Sequence, residues 1–371
     1  MYHTDMIVLI AFKNLFKEKG RLLITISGVT FSVVLILLLL GLYQGWSTQI
    51  TKFLGGIEAD LWVGSNGSSD LSHGISILPK DTGAQLEDVA GTDKVVPFVG
   101  RQISFSLNGG DSHVYLIGQD EDKIIHPYTI VEGKSSPDKG EIIIDQTFAR
   151  KENLNIDDKL DIQGVELRIA GISKGGNLLA YTYAIATTED VRDALKANDY
   201  TNYFIIKSSD PELTEKEIKD KYPNLQAIPK DNFINNNSVI IKDSFLPIIA
   251  VLLLVALVIG TAIIGLTIYT SVVEKSREYG VLKAIGYTNY QLFGIAVIQS
   301  FMAGLLGLIV GNILAPIIAQ IAYEFVGGFI YENGYSQIIG VAVTVMLMSI
   351  LASFIPLKRI LSIDPAEVFK A

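Results

Sequence analysis

The 371-residue chain offers little that could do covalent chemistry: four histidines, no cysteine and no phosphate-binding loop. His3, His73, His113 and His126 are far apart and none has HExxH-type spacing, so a metal-hydrolase helix has no counterpart here. His73, in Asp70-Leu71-Ser72-His73-Gly74, is the strongest ligand candidate, being loop-borne near a membrane surface; each histidine is otherwise read as solvent-facing or locally hydrogen-bonded. Without cysteine, disulfides and thiolate metal sites are impossible. No G-x-x-x-x-G-K-[ST] occurs, so the chain is expected neither to hydrolyse ATP nor to carry a cofactor or metal of its own. Asn66-Gly67-Ser68 and Asn236-Asn237-Ser238 fit the glycosylation pattern, which is common by chance.

The informative stretch is Glu274-Lys275-Ser276-Arg277-Glu278-Tyr279-Gly280-Val281-Leu282-Lys283-Ala284-Ile285-Gly286. A charged turn is followed by a short helix on which Val281, Leu282 and Ile285 form a small apolar face, flanked by Lys283 and ended by Gly286 as a C-cap. Thr288 and Gln291 have capping-box spacing and restart a helix. A solvated loop would not need an apolar face, whereas a helix docking in a groove on a partner would.

Long uncharged runs position this stretch. With 49% hydrophobic and 19% charged residues and a mean hydropathy of +0.37, the composition is that of a membrane protein. Leu22 to Tyr43 carries no charge over 22 residues, about 33 Å of helix against a hydrocarbon core of about 30 Å. It is too long for a signal-peptide core, and Gln44-Gly45-Trp46 offers no cleavage pattern. Phe245 to Val273 exceeds a single span, which implies tilt or continuation past the membrane surface, with Ser244 and Pro247 read as its start. A third run lies between Leu292 and Ala322, with a kink expected at Pro316, and a fourth between Ile338 and Ile355. Lys13, Lys17, Lys19 and Arg21 before the first run, Lys275, Arg277 and Lys283 after the second, and Lys358, Arg359 and Lys370 after the fourth place all three segments and both termini in the cytoplasm. The loop holding Glu324 and Glu332 has no basic residue and faces outward.

The expected organisation is therefore a cytoplasmic amphipathic helix (1–21), a first span (22–46), an extracytoplasmic α/β domain (47–244), a second span (245–273), a cytoplasmic coupling segment (274–290), a third span (291–322), an outer loop (323–337), a fourth span (338–357) and a cytoplasmic tail (358–371). On the first helix Leu9, Phe12 and Phe16 share a face while Lys13, Asn14 and Lys17 lie on another, as expected at a membrane interface. Residues 47–244 hold 20 Lys and Arg against 31 Asp and Glu, a net charge of −11, which argues against nucleic acid as a partner. Strands are expected at Val95–Phe105 and Ser112–Ile117 around the turn Asn108-Gly109-Gly110, and at Glu141–Ile144, Lys159–Ile162, Val165–Ile172 and Asn202–Lys207. Helices are expected at Gln146–Glu152, Thr188–Lys196 and Pro211–Lys221, so that the later part reads as one alternating unit. Ser65 to Ser72 reads as a loop. Ala256 with Gly260, and Gly307 with Gly311, give small-xxx-small faces for close helix packing, either within one subunit or across a dimer.

The string EKSREYGVLKAIGYTNYQL resembles the segment after the second span of FtsX-like, MacB-type ABC transporter permeases, and Asp364-Pro365-Ala366-Glu367 is similar to that family's closing motif. The likeness covers residues 245–371 and the order of one span, a large domain and three spans. Ala59-Asp60-Leu61-Trp62-Val63, Gly140-Glu141-Ile142 and Asp157-Asp158-Lys159-Leu160 look similar to the subgroup of DevC-like and haem-exporting HrtB-like permeases. The resemblance implies a homodimer in a bacterial-type cytoplasmic membrane, bound to two copies of a separate ATPase that carries ATP and Mg. It further implies ATPase contact through Glu274, Arg277, Glu278, Gly280, Val281, Leu282, Lys283, Ile285 and Gly286, and mechanotransmission to the outer domain. Two functions fit: export of a hydrophobic or amphiphilic compound (haem, a lipid-linked molecule or a peptide), with or without an extracytoplasmic adaptor, or FtsX-like regulation of an extracytoplasmic hydrolase or sensor without transport. The native absence of cysteine allows a direct test of topology. Cysteine introduced at Ser136 should react with an impermeant thiol reagent in intact cells and cysteine at Ser276 should not; labelling at Ser276 without permeabilisation would reverse the orientation.

Overall fold

The computed structural model describes residues 2–71, 76–107, 109–119, 128–178, 181–325 and 329–363. The chain begins with helices α1 (Tyr2–Lys17) and α2 (Lys19–Gly56). The domain that follows contains β1 (Leu61–Ser65), β2 (Leu78–Pro79), α3 (Thr82–Glu87), β3 (Thr92–Phe98), β4 (Gly100–Leu107), β5 (Gly110–Gly118), β6 (Thr129–Gly133), β7 (Glu141–Asp145) and α4 (Gln146–Glu152). It continues with β8 (Lys159–Ile162), β9 (Val165–Lys174), β10 (Asn177–Leu178), β11 (Tyr181–Ala186), α5 (Thr188–Leu195), β12 (Tyr200–Thr201), β13 (Tyr203–Ser208), α6 (Pro211–Lys221) and β14 (Leu225–Pro229). Helices α7 (Lys230–Glu274), α8 (Ser276–Ala284), α9 (Asn289–Phe325), α10 (Tyr335–Ser353) and α11 (Leu357–Leu361) complete the chain. Two compact units result, one of residues 1–44, 246–322 and 331–371, the other of residues 45–245 and 323–330.

Among the described residues four helices are long and apolar enough to cross a membrane, Lys19–Gly56, Lys230–Glu274, Asn289–Tyr323 and Tyr335–Leu361, and the larger part of each falls in the first unit. Their shared core is built from Val29, Val33 and Leu37 of α2, Ile264, Ile268 and Val272 of α7, Leu292 and Ile295 of α9, and Val345 and Met348 of α10. Small residues let the backbones approach. A Cβ on Gly307 would fall 2.5 Å from Val29 Cγ1, one on Gly311 would fall 2.4 Å from Val33 Cγ1, and one on Gly260 would lie 3.0 Å from Met348 Sδ and 3.1 Å from Ser32 Oγ. Ala256 is buried in the same core. All four small residues thus serve packing inside one chain. Thr30 Oγ1 donates to the Gly307 carbonyl at 3.4 Å across the α2–α9 contact.

The second unit holds a four-stranded sheet, β14-β1-β13-β3, and an eight-stranded sheet whose path is β4-β5-β11-β7-β9-β6, with β10 on β11 and β8 on β9. The first sheet packs Leu61, Val63, Phe204 and Ile206 against Leu86 of α3 and Ile218 of α6. On its other side Trp62 stacks on Phe233 of α7 at 4.3 Å and meets Phe98 and Tyr203 edge-on at 5.2 and 5.8 Å. The second sheet is covered by Phe148 of α4 and Val191 and Leu195 of α5. Helix boundaries follow their caps: Asp145 accepts from Thr147 N–H, Thr187 from Asp190 N–H and Asp210 from Leu213 N–H.

Several expectations change. The single strand at Val95–Phe105 is two strands in different sheets, and the switch is fixed by Asn202, whose Oδ1 accepts Gly100 N–H at 3.0 Å while its own N–H donates to the Phe98 carbonyl at 3.1 Å. The β4–β5 hairpin closes at the Leu107–Gly110 pair with Gly109 at φ +82, while Asn108 lies outside the described residues. The later part is not one unit: α5 covers the large sheet, whereas β13 and α6 belong to the small one. β11, parallel to β5 and antiparallel to β7 at the centre of the large sheet, has no counterpart in the sequence reading. Helix α7 starts at Lys230 and runs through Ser244, so Pro247 sits inside the helix. Residues 230–244 belong with the α/β domain and are tied to it: Asn236 Nδ2 donates to the Ser69 carbonyl, and Asn237 Oδ1 accepts from Leu71 N–H, both at 3.0 Å. The Asn236 side chain is therefore a structural contact.

The glycine contacts predict a contrast. Gly307→Ala should lower stability by about 1–3 kcal/mol, because Val29 or the α2 backbone must move. Gly340→Ala, where an added Cβ meets nothing within 4 Å, should be neutral or raise it by up to about 1 kcal/mol. Thermal unfolding of the two purified variants in detergent compares them.

Candidate functional site

The segment that the sequence singled out begins where α7 ends. Lys275 interrupts the helix, its N–H still bonded to the Ser271 carbonyl at 3.0 Å, and α8 starts at Ser276 with Tyr279 N–H on the Lys275 carbonyl at 3.0 Å. The far end of α8 is a Schellman motif. Gly286 adopts φ +102, its N–H reaches the Lys283 carbonyl and Tyr287 N–H reaches the Leu282 carbonyl, each at 3.0 Å. The capping box before α9 is reciprocal: Gln291 Oε1 accepts Thr288 N–H at 2.8 Å and Thr288 Oγ1 accepts Gln291 N–H at 3.3 Å. A short helix is thus held between two long ones by backbone bonds at both ends.

One face of α8 belongs to the chain itself. Tyr279 and Gly280 are buried, and Leu282 is half-buried against the helical core. Burial pushes the Tyr279 hydroxyl pKa above the usual tyrosine range, and the neighbouring Glu278 carboxylate adds to that. Lys283 Nζ donates to the Ile360 carbonyl at 3.0 Å, the Ile363 carbonyl at 2.9 Å and the Leu361 carbonyl at 3.4 Å. It is the C-terminal cap of α11, a cation set on the negative end of a helix. The expected apolar trio is therefore divided: Leu282 faces the chain's own core and Lys283 is committed to α11, while Val281 and Ile285, one turn apart, point outward with 43% and 69% of their surface exposed. Arg277 and Glu278 are exposed, and Tyr290 in the first turn of α9 is 88% exposed.

The junction before α8 is a charged cluster. Arg21 of α2 donates to Glu274 at 2.5 Å and also pairs with Glu18. Lys275, only 8% exposed at its side chain, donates to Asn14 Oδ1 at 3.1 Å and to the Asn14 carbonyl at 3.3 Å, and lies 3.2 Å from Glu18 Oε1. Burial lowers its ammonium pKa below the usual lysine range, against the upward pull of Glu278, with Arg21 and Lys17 adding to the lowering. Asn14 accordingly lies on the inner face of α1, not with Lys13 and Lys17. Sequence reasoning missed the burial of Lys275: a lysine in a charged turn reads as solvated, and only its contacts with Asn14 and Glu18 show it to be buried.

Among the described residues no three His, Cys, Asp or Glu side chains are grouped to hold a metal ion, and His73 lies outside those residues. His113 Nδ1 and Ser104 Oγ are hydrogen-bonded at 2.8 Å on the β4–β5 hairpin. Asp364 to Glu367 also lie outside the described residues.

Comparison with known proteins places this geometry. Residues 22–221 match the MacB-like periplasmic core domain, and residues 250–365 match the FtsX-like permease C-terminal region. The chain belongs to the FtsX/MacB family of ABC transporter permeases. An uncharacterised ABC transporter permease of Mycobacterium tuberculosis is 24% identical over 97% of this permease and 98% of its own length. HrtB, the proposed hemin transport system permease protein of Staphylococcus epidermidis, is 21% identical over 96% and 98%. The crystal structure of the periplasmic region of MacB from Actinobacillus actinomycetemcomitans covers 50% of the permease and 96% of its own chain, at 13% identity and a TM-score of 0.37. The FtsX-like region contains α8 and the whole exposed pair, and an ABC transporter permease works with a partner ATPase.

The two kinds of charge at the site predict different costs. Lys283→Met should lower the stability of the permease by about 1–3 kcal/mol, because a charged donor to three carbonyls is lost. Arg277→Ala, at an exposed position, should change it by less than about 0.5 kcal/mol. Equal effects in thermal unfolding would show that Lys283 does not hold α11.

Proposed function

We propose that this chain is the membrane subunit of an exporter, in which Val281 and Ile285 seat in a groove of a separate ABC ATPase on the cytoplasmic side. The observation that carries the proposal is the divided surface of α8. One face is fixed to the chain by Tyr279, Leu282 and Lys283, while an aliphatic pair one turn apart is left facing outward on a helix braced at both ends. An aliphatic pair with charged neighbours suits a protein groove better than water. ATP and Mg belong to the partner, and both termini lie with α8 in the cytoplasm. Two permeases bind two ATPases, and closure of the ATPases moves α7 and the extracytoplasmic domain. Dimer contacts use outward α7 residues such as Val251 and Val258, which are 60% and 56% exposed, because Ala256 and Gly260 are already engaged within the chain.

The substrate class is hydrophobic or amphiphilic and is taken from the outer leaflet or the extracytoplasmic side. The hemin-related name of the HrtB relative supports this class, and haem, a lipid-linked molecule and a peptide all fall within it.

The test is copurification of the permease with its ATPase, followed by ATP turnover. Ile285→Asp should leave permease folding unchanged, because the side chain is exposed, and should reduce ATPase capture at least tenfold by placing an unpaired charge in a packed contact. Leu282→Asp should instead destabilise the permease itself. Full capture and full turnover with Ile285→Asp would remove α8 as the coupling surface. ATP-dependent turnover without movement of any amphiphile in proteoliposomes would favour a regulator over an exporter.

A further inference from the structure

Helix α1 has three distinct sides, and one of them has no partner among the described residues. At about 100° per residue, Ile7, Ala11 and Leu15 fall on one side with Asn14 and Glu18 at its edge. Ala11 and Leu15 are buried, and Ile7 packs on the helical core. The next side carries Val8, Leu9, Phe12 and Phe16, which are 45%, 52%, 47% and 37% exposed, with the rings of Phe12 and Phe16 4.4 Å apart. Beside it stand Lys13 and Lys17, both exposed and in no ion pair among the described residues. The one acidic residue in the α1 sequence is Asp5, near its other end. α2 starts at Lys19, two residues after α1 ends, and its outward apolar run opens with Leu23 and Ile24, each 67% exposed.

We propose that this side of α1 docks on the anionic phospholipid surface of the leaflet where α2 starts, and that the coupling segment reads the contact. The aromatic and aliphatic side chains enter the boundary between headgroups and acyl chains, and Lys13 and Lys17 meet lipid phosphates. Two features choose lipid over a protein partner: the apolar side continues in sequence into the lipid-facing start of a candidate span, and the charges beside it at that end of α1, Lys13 and Lys17, are both basic, the one acidic residue of the helix, Asp5, standing at the opposite end. The inner side of α1 supplies the connection. Asn14 and Glu18 hold the buried Lys275 ammonium, and Glu18 shares Arg21 with Glu274, so a shift of α1 moves the residue at which α7 passes into α8. This transmission rests on α8 being the ATPase contact, whereas the lipid contact does not.

The test uses the full-length permease in nanodiscs of phosphatidylcholine alone or with one quarter phosphatidylglycerol. A polarity-sensitive fluorophore on cysteine introduced at Leu9, the chain having no other cysteine, reports the contact without the ATPase. Its emission should shift blue and be quenched by spin-labelled lipid several-fold more strongly with phosphatidylglycerol, and Lys13→Gln with Lys17→Gln should abolish that difference. A probe equally open to iodide in both lipids would overturn the proposal, and so would one shielded from both iodide and spin-labelled lipid, which indicates a protein cover. With the ATPase bound, turnover should rise several-fold with phosphatidylglycerol. Lys275→Met should keep the probe response and lose the turnover response. A probe response without a turnover response in the unmodified complex would overturn the transmission. Failure of the ATPase to bind at all would count against the coupling surface, leaving the probe to decide the lipid contact.

Discussion

A helix in lipid must keep every backbone hydrogen bond within itself, so a spanning helix can be addressed only at its ends or through its side chains. In this permease the constraint bears hardest on α7, continuous from Lys230 to Glu274. At one end, Lys230 Nζ caps the last turn of α2 by donating to the Gly55 and Ile57 carbonyls at 2.8 and 2.7 Å, while Phe233 stacks on Trp62. At the other end Glu274 pairs with Arg21 of α2, and Lys275 is buried against α1. The same two helices are thus tied by ionic or charge-assisted contacts at both ends, beyond the apolar runs in which such contacts would be costly.

Within the α/β domain, Trp62 sits at the centre of the small sheet. Trp62, which stacks on Phe233, belongs to β1, an inner strand of the small sheet flanked by β13 and β14, and β13 has β3 as its outer neighbour. The chain then leaves β3 for β4 at Val99 and Gly100, where Asn202 satisfies the backbone that neither sheet can. In the helical unit the small residues Gly307, Gly311 and Gly260 bring the backbones of α2, α9, α7 and α10 close enough for dispersion contacts to hold them, since lipid offers no hydrophobic drive between helices.

The site owes its exposed character to the same economy of faces. Helix α8 is only nine residues long, too short to be stable alone, so its inward face must be anchored by Tyr279 and Leu282 and its end by Gly286 and Lys283. What remains outward is small and aliphatic. A surface that is both apolar and rigidly presented loses little conformational freedom on binding.

Much of this was legible in the residues alone. Uncharged runs of helical length require spans, the 3.6-residue period and the Thr288–Gln291 spacing require a helix, a turn and a helix after the second span, and a left-handed residue at the end of α8 is best supplied by glycine. These are local facts, set by hydration and by backbone geometry within a few residues. The tertiary structure alone decided how each helix divides its faces. Val281, Leu282, Lys283 and Ile285 look alike as one amphipathic patch, yet Lys283 is claimed by carbonyls 77 to 80 residues away and Lys275 by Asn14, 261 residues away. Likewise Val95–Phe105 has the pattern of one strand, and only the arrival of Asn202 splits it between two sheets. Periodicity records which residues share a face; which faces are already occupied depends on segments distant in sequence, brought there by the packing of the whole chain.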